Sequence, residues 1–296
     1  MTTFDLTNCT VCPRECRVDR YREKGVCGVG ASILVSKTML HKFEEPCISG
    51  CDPERGSGAV FFSGCSLKCV FCQNKAISRG EHGKAYTPKE LADEMLRLQD
   101  MGAYNINLVT PTHYIPQIID ALDIAKPKLA IPVIFNTGGY EKAEAIRALN
   151  GYADIFLTDF KYGTAELAKK YSGAENYPHV AAKALAEMLR ITGAPQFDEN
   201  VMMHRGVIIR HLVLPGGRRD SEEALRLIGN TVPPSHVLLS LMRQYTPDFA
   251  PEHMKELRRK VTSFEYDHVL SVATALGFVG FSQDRSSAQT IYTPDF

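Results

Sequence analysis

From Ala59 onward, short apolar runs rich in β-branched residues alternate with amphipathic stretches. The apolar runs predict strands at 59–63, 105–110, 131–137, 153–159, 206–214 and 236–242. Between them, apolar residues recur at helical spacing, predicting helices over 114–126, 140–150, 178–192, 220–229 and 265–276. A further helix opens at Thr87-Pro88-Lys89-Glu90, a capping box with proline in the first turn, and Leu91, Met95 and Leu98 carry its apolar face toward Gly102. Strands alternating with helices form βαβ units with right-handed crossovers, so the fold class is α/β with a parallel sheet. Six units fall short of the eight that close a barrel. The expected architecture is an open, partial (β/α)6 barrel over residues 56–296, preceded by a small cysteine-rich, metal-binding extension over residues 1–55.

Composition narrows the function classes. In 296 residues, 34 basic and 34 acidic side chains cancel, so bulk charge gives no argument for nucleic acid or an anionic membrane. The start, Met1-Thr2-Thr3-Phe4-Asp5, lacks a basic n-region and an apolar h-region, and no 18-residue apolar run occurs. A soluble, cytoplasmic protein is the expectation.

Nine cysteines, an odd number, all stand within the first 72 residues. In a reducing compartment, clustered thiols point to metals or clusters rather than disulfides. Three of them form Cys65-Ser66-Leu67-Lys68-Cys69-Val70-Phe71-Cys72, directly after the apolar run Ala59-Val60-Phe61-Phe62. Thiolates on one short loop can ligate three irons of a 4Fe–4S cubane, which normally takes four cysteines. One iron is then left open, and an open coordination position is where a small molecule binds and reacts. The bland alternatives are a zinc ligand set or three buried reduced cysteines. Phe71 before the third cysteine and Gln73-Asn74 after it weigh against them.

A second set, Cys9, Cys12, Cys16 and Cys27, lies on a segment turned by Pro13, Gly25 and Gly28. Four thiolates match zinc or an auxiliary iron–sulfur cluster equally well, with reduced, unliganded thiols as the weaker alternative. Too few apolar residues surround them to make a core, so a metal would hold the segment together. Cys47 and Cys51 read as loop residues, with a further site as the alternative.

In parallel α/β folds ligands collect at the carboxyl ends of the strands. Those ends read Thr110-Pro111-Thr112-His113, then Asn136-Thr137-Gly138-Gly139, then Asp159-Phe160-Lys161-Tyr162. His113 is divided evenly between a solvent-facing position in the first turn of a helix and a site residue. In the fifth strand, Arg210 interrupts a β-branched run and must face something anionic, for which its planar fork suits a carboxylate. His211 alternates to the opposite face and packs against a helix. The sixth strand ends at Arg243-Gln244, either of which lines the cavity. Tyr-Thr-Pro-Asp-Phe recurs at 245–249 and 292–296 and reads as two Pro-Asp turns, not a repeat architecture. The polar segment 283–288 reads as a surface loop, with a cover for the barrel mouth as the alternative.

The Cys65–Asn74 loop, Asp159-x-Lys161 and Arg210-x-x-Val213-x-Pro215-Gly216 together resemble the radical S-adenosylmethionine (SAM) superfamily, and within it the pyruvate formate-lyase-activating-enzyme-like branch. The resemblance covers nearly all residues from Cys9 to Phe296. It implies a 4Fe–4S cluster on Cys65, Cys69 and Cys72, with the amino and carboxylate groups of SAM completing the open iron. It also implies SAM contacts from Asp159, Lys161 and Arg210, with Asn136 and Thr137 in the same cavity. Many members carry Gly-Gly-Glu after the second strand to meet the SAM amino group. This chain does not, and Thr110 and Thr112 are the expected substitutes. The implied chemistry is reductive cleavage of SAM to methionine and a 5′-deoxyadenosyl radical, which removes a hydrogen atom from a glycyl residue of a partner enzyme. An electron donor such as flavodoxin or ferredoxin is implied as well. A small metabolite or peptide substrate is the second reading, and an iron–sulfur electron-transfer protein that never cleaves SAM is the third.

Overall fold

The computed structural model describes residues 4–80 and 82–288. Its strands are β1 (Ile33–His41), β2 (Gly56–Phe62), β3 (Lys84–Tyr86), β4 (Ala103–Val109), β5 (Val133–Thr137), β6 (Ile155–Asp159), β7 (Gln196–Phe197), β8 (Met203–Leu212), β9 (Leu238–Met242) and β10 (Val279–Ser282). Its helices are α1 (Pro46–Ser49), α2 (Lys75–Ser78), α3 (Pro88–Asp100), α4 (Ile115–Ala125), α5 (Ala143–Arg147), α6 (Ala165–Ser172), α7 (Tyr177–Thr192), α8 (Arg218–Thr231) and α9 (Ser263–Ala275). None of these helices is long and apolar enough to cross a membrane.

The sheet runs β10-β9-β8-β6-β5-β4-β2-β1-β3, with β2, β4, β5, β6, β8, β9 and β10 mutually parallel. The six expected strands are its centre, as a mixed α/β fold with a parallel sheet requires. Two additions flank them. β1 and β3 add an antiparallel edge next to β2, and β10 adds a parallel strand next to β9. Neither edge has a clean alternation: β1 is mostly half-buried along its length, and β10 is four residues long with Gly280 inside it.

The two faces of the sheet differ in what covers them. Ile106, Leu108, Phe135, Phe156, Val207, Ile209 and Leu239 join the large core under the helices. Ile134, Ile155, Leu157 and Ile208 face the other way, where Cys47 and Ile48 of α1 pack on them with Met203. α1 therefore plugs the amino-terminal end of the half-barrel, tied there by Asn105, whose side-chain amide donates to the Ile48 carbonyl at 2.8 Å. Cys47, expected in a loop, lies in α1 as a core residue of this plug, and Cys51 is exposed.

Two residues further along each of these strands, the same inner face turns polar. Asn136 follows Ile134, Asp159 follows Leu157, Arg210 follows Ile208 and Ser240 follows Leu238. Asp159, Arg210, Ser240 and Phe281 are in register across four neighbouring strands. An apolar floor with a polar ring above it places ligand chemistry at the carboxyl ends of the strands.

The capping box expected at α3 is present: Glu90 N–H donates to Thr87 Oγ1 at 3.2 Å, and Thr87 N–H to Glu90 Oε2 at 2.8 Å. The 245–249 motif forms a short 3-10 turn, Pro247–Phe249; its copy at 292–296 lies outside the described residues.

Candidate active site

A cavity of about 420 Å³ opens over the polar ring, within the range of small-molecule sites. The loop after β2 forms one wall and brings Cys65, Cys69 and Cys72 to it. Burial pushes the Cys72 thiol up to about 12 and raises that of Cys65, so both are neutral until a metal takes the proton's place. The loop is braced from two sides. Ser172, the last residue of α6, donates from Oγ to Cys69 Sγ at 3.0 Å, and Val70 N–H donates to the Tyr171 carbonyl at 2.9 Å. From the amino-terminal segment, the Cys27 carbonyl accepts from Cys65 N–H at 3.1 Å, and Arg14 donates to the carbonyls of Ser66 at 2.8 Å and Ser172 at 2.7 Å.

Asp159 and Lys161 form an ion pair on the opposite wall. Burial alone would lower the Lys161 ammonium, but the Asp159 carboxylate beside it raises it instead, so it stays charged. Tyr177 holds this turn: its hydroxyl accepts from Lys161 N–H at 2.8 Å and donates to the Gly138 carbonyl at 2.9 Å. Gly139 (φ +76) lies so close to this turn that a Cβ there would sit 2.1 Å from the Asp159 carbonyl oxygen. We expect Gly139→Ala to lower Tm by roughly 5–10 °C, the sum of a left-handed φ and a backbone clash. Gly151→Ala, at φ +84 with nothing within 4 Å, carries only the φ part and is the control. Equal Tm losses in thermal denaturation of the two variants would remove the close-approach argument.

Arg210 meets an anion, as its place in an apolar strand requires, but the anion belongs to the chain. Its Nε donates to Glu45 Oε1 at 2.8 Å and a terminal nitrogen to Glu45 Oε2 at 2.6 Å, and it also pairs with Glu44. The fork expected to contact SAM pairs here with two carboxylates from the loop that leads into α1. Asn107 secures Glu44, donating to its Oε1 at 2.8 Å.

Thr110, at φ +61, adopts a conformation uncommon for a β-branched residue and turns the chain out of β4. Thr112 follows with its hydroxyl committed as a donor to Glu141 Oε1 at 2.8 Å. Thr110, Thr112, Asn136, Thr137, Glu141 and Gln244 all line the cavity. Arg243 turns away to donate to Ser263 Oγ at 3.0 Å, and Gln283 joins the cavity wall by donating to Gln244 at 2.9 Å. The 283–288 segment thus contributes to the mouth rather than lying wholly on the surface.

His113 is not solvent-facing. It is buried with Nε2 donating to the Ser63 carbonyl at 2.8 Å, and burial pushes it down to about 3, so the ring is neutral. It props the start of the thiol loop. His211 packs on the helix-covered side as expected, with Nδ1 donating to the Phe160 carbonyl at 2.6 Å.

In the amino-terminal segment, Cys9, Cys12 and Cys27 are buried and Cys16 is half-buried. Cys16 Sγ and Cys27 Sγ lie 3.2 and 3.4 Å from the point where a side chain at Gly25 would begin, so both line one small space. Among the described residues, no three His, Cys, Asp or Glu side chains are placed to hold a single metal ion.

The profile of the radical SAM superfamily matches residues 59–228, more than half of the chain. The chain belongs to this superfamily. A protein of Methanocaldococcus jannaschii known only as uncharacterized is 29% identical over 276 residues, covering 90% of this chain and 74% of its own. A second from the same organism is 25% identical over 213 residues, 65% of this chain and 62% of its own, so the chain spans less than two thirds of that relative. Among solved structures, a radical SAM methyltransferase from Sphaerobacter thermophilus superposes with a TM-score of 0.54 at 14% identity, covering 79% of this chain and 67% of that one. Streptococcus suis SuiB bound to precursor peptide SuiA superposes at 0.52 and 15% identity, covering 74% and 46%. These likenesses establish the shared fold.

Radical SAM membership implies a 4Fe–4S cluster and SAM. The site suits them: three thiols face a cavity that also holds a half-buried cation at Lys161 and a carboxylate oxygen, Glu141 Oε2, with no hydrogen-bond partner among the described residues. Glu44, Glu45 and Glu141 are the site residues that sequence reasoning missed. Glu44 and Glu45 stand in a stretch without periodicity, and Glu141 falls in the expected 140–150 helix, which in the structure begins only at Ala143; only the tertiary path brings the three inside.

Proposed function

We propose that this radical SAM protein reductively cleaves SAM and uses the product radical to abstract hydrogen from a glycyl residue of a partner enzyme or another macromolecular substrate. The observation that carries this reading is the C-x3-C-x2-C loop facing a cavity walled by Asp159 and Lys161. When bound, the cluster and SAM would together supply one-electron reductive cleavage of the sulfonium and, through it, hydrogen abstraction. The chain's own residues hold and shield. Cys65, Cys69 and Cys72 would hold three irons, and the Ser172 hydroxyl on Cys69 would stabilise thiolate charge. Asp159 and Lys161 border the methionyl end of SAM, and Thr110, Thr112, Asn136 and Thr137 line the same space. Phe62, Leu67, Phe71 and Val109 give the cavity an apolar rim that keeps water from the reacting atoms. A macromolecular substrate is compatible with this fold, which in SuiB is bound to a precursor peptide.

The test is electron paramagnetic resonance of a candidate glycyl-radical enzyme incubated anaerobically with the loaded protein, SAM and a flavodoxin or ferredoxin donor. A glycyl signal dependent on all components supports the activase role. Deoxyadenosine that forms only with a metabolite or peptide present moves the reading to a small-substrate enzyme.

We also propose that Cys9, Cys12, Cys16 and Cys27 hold a second centre, zinc or an auxiliary cluster. Metal analysis of the reconstituted chain is expected to show, beyond the roughly four irons of one cubane, either one zinc or about four more irons. The surplus disappears in a Cys9→Ser/Cys12→Ser variant. Four irons and no zinc in the intact chain would reject the second centre.

A further inference from the structure

We propose that Glu141 is the carboxylate that receives the α-ammonium group of SAM. The inference rests on the radical SAM reading of the cavity and adds a residue and a role to it.

Four carboxylates line the cavity: Glu44, Glu45, Glu141 and Asp159. Three of them have their cation within the chain. Arg210 pairs with Glu44 and Glu45, and Lys161 pairs with Asp159. Glu141 stands apart. It is 1% exposed, its Oε1 accepts from the Thr112 hydroxyl at 2.8 Å, and its Oε2 is buried without a hydrogen-bond partner among the described residues. A buried carboxylate oxygen left unpaired is costly, and it persists where something absent from the bare chain completes it. The complement of a carboxylate whose only close partners are neutral hydroxyls is a cationic donor. SAM carries one such ammonium on its amino-acid end.

Position supports the same partner. Glu141 closes the turn that begins at Gly138, and a Cβ at Gly138 would lie 3.0 Å from Leu67 Cδ1 and 3.7 Å from Lys161 Cε. Leu67 stands between Cys65 and Cys69, so the Glu141 turn abuts the thiol loop on one side and the Asp159–Lys161 wall on the other. Burial pushes the Glu141 carboxyl up to about 7; the Thr112 and Thr137 hydroxyls and Lys161 pull it down, while Asp159 pushes it up. An arriving ammonium would hold it ionised. This arrangement also accounts for a chain that has Thr-Pro-Thr-His after β4: Thr112 serves by orienting a carboxylate from the neighbouring strand rather than by touching SAM itself.

The test is equilibrium dialysis of the cluster-loaded, full-length protein under anaerobic conditions, with radiolabelled SAM and with its desamino analogue, in which hydrogen replaces the α-amino group. Iron content is measured for each protein so that only fully loaded samples are compared. In Glu141→Gln, SAM binding is expected to weaken about tenfold or more, the scale of one charge-assisted hydrogen bond, while desamino-SAM binding changes less than about twofold. Glu141→Asp, which keeps the charge on a shorter stem, should recover part of the SAM affinity. Equal weakening toward both ligands would reduce Glu141 to a structural role and overturn the proposal, as would unchanged SAM affinity in Glu141→Gln. A wild-type protein that takes up its cluster yet binds no SAM would instead bring down the reading beneath it.

Discussion

Replacing any one of Cys65, Cys69 or Cys72 with alanine is expected to reduce SAM-dependent deoxyadenosine formation at least a thousandfold, to the level of a protein-free control. The reason is coordination, not folding. Two thiolates cannot hold a cubane that already leaves one iron without a protein ligand. Cys47 is committed to the plug below the cavity and Cys51 lies exposed, so neither is placed to substitute. The loop itself survives the change, because backbone bonds anchor it: Cys65 N–H to the Cys27 carbonyl, Gly64 N–H to Ile77 and Val70 N–H to Tyr171. Thermal denaturation of the apo variants should therefore match the apo wild type, while their iron content after reconstitution falls. The measurement is deoxyadenosine by liquid chromatography beside iron analysis and the absorbance of the cluster. A single-alanine variant that cleaves SAM at a tenth or more of the wild-type rate would show that the chemistry resides elsewhere. The electron-carrier reading gains if the fully loaded wild type itself yields none.

Much of this site is legible in the linear sequence because its signals are local. The thiol spacing fits on one loop, and the inner-face pattern can be followed strand by strand as Ile134-x-Asn136, Leu157-x-Asp159 and Ile208-x-Arg210. Arg210 is a good example of both the reach and the end of such reasoning. A charge in an apolar strand demands an anion, and the structure supplies one, yet nothing near Arg210 in sequence says that Glu44 and Glu45 come from 166 and 165 residues away. The loop and short helix that carry them have no periodicity to reveal that they enter the half-barrel. β1 was illegible for a related reason: it is mostly half-buried, so its polar middle, Ser36-Lys37-Thr38, breaks the alternation that marks a strand. Glu141 fails both ways, being neither periodic nor part of a motif. Its meaning comes from an oxygen without a partner.

Arg210→Met is expected to cost about 3–5 kcal/mol of stability, the range for breaking a buried ion pair by removing one partner. The methionine retains much of the stem's packing, so the loss reports the guanidinium. Glu44 and Glu45 have side chains only 7% and 6% exposed, and without Arg210 two adjacent carboxylates would face each other in the cavity floor. The pH dependence gives the mechanism a second signature. Burial pushes the Glu45 carboxyl up, but the Arg210 guanidinium more than offsets this and holds it below the ordinary value of 4.5. A carboxylate depressed in the folded state contributes stability that is complete above that ordinary value and is lost as pH falls through the folded one. In Arg210→Met the balance reverses for Glu45, since burial, no longer offset by the guanidinium, then raises its carboxyl. The variant's deficit should accordingly shrink on acidification from pH 7 toward 5, where protonation removes the buried charge. Urea denaturation at both pH values, on Arg210→Met and on Arg210→Met/Glu45→Gln, separates the contributions. The added Glu45→Gln is expected to recover part of the loss at pH 7, because it deletes one of the stranded charges. A deficit under about 1 kcal/mol that is the same at both pH values would mean that water reaches the pair and that the floor of this cavity is solvated rather than built.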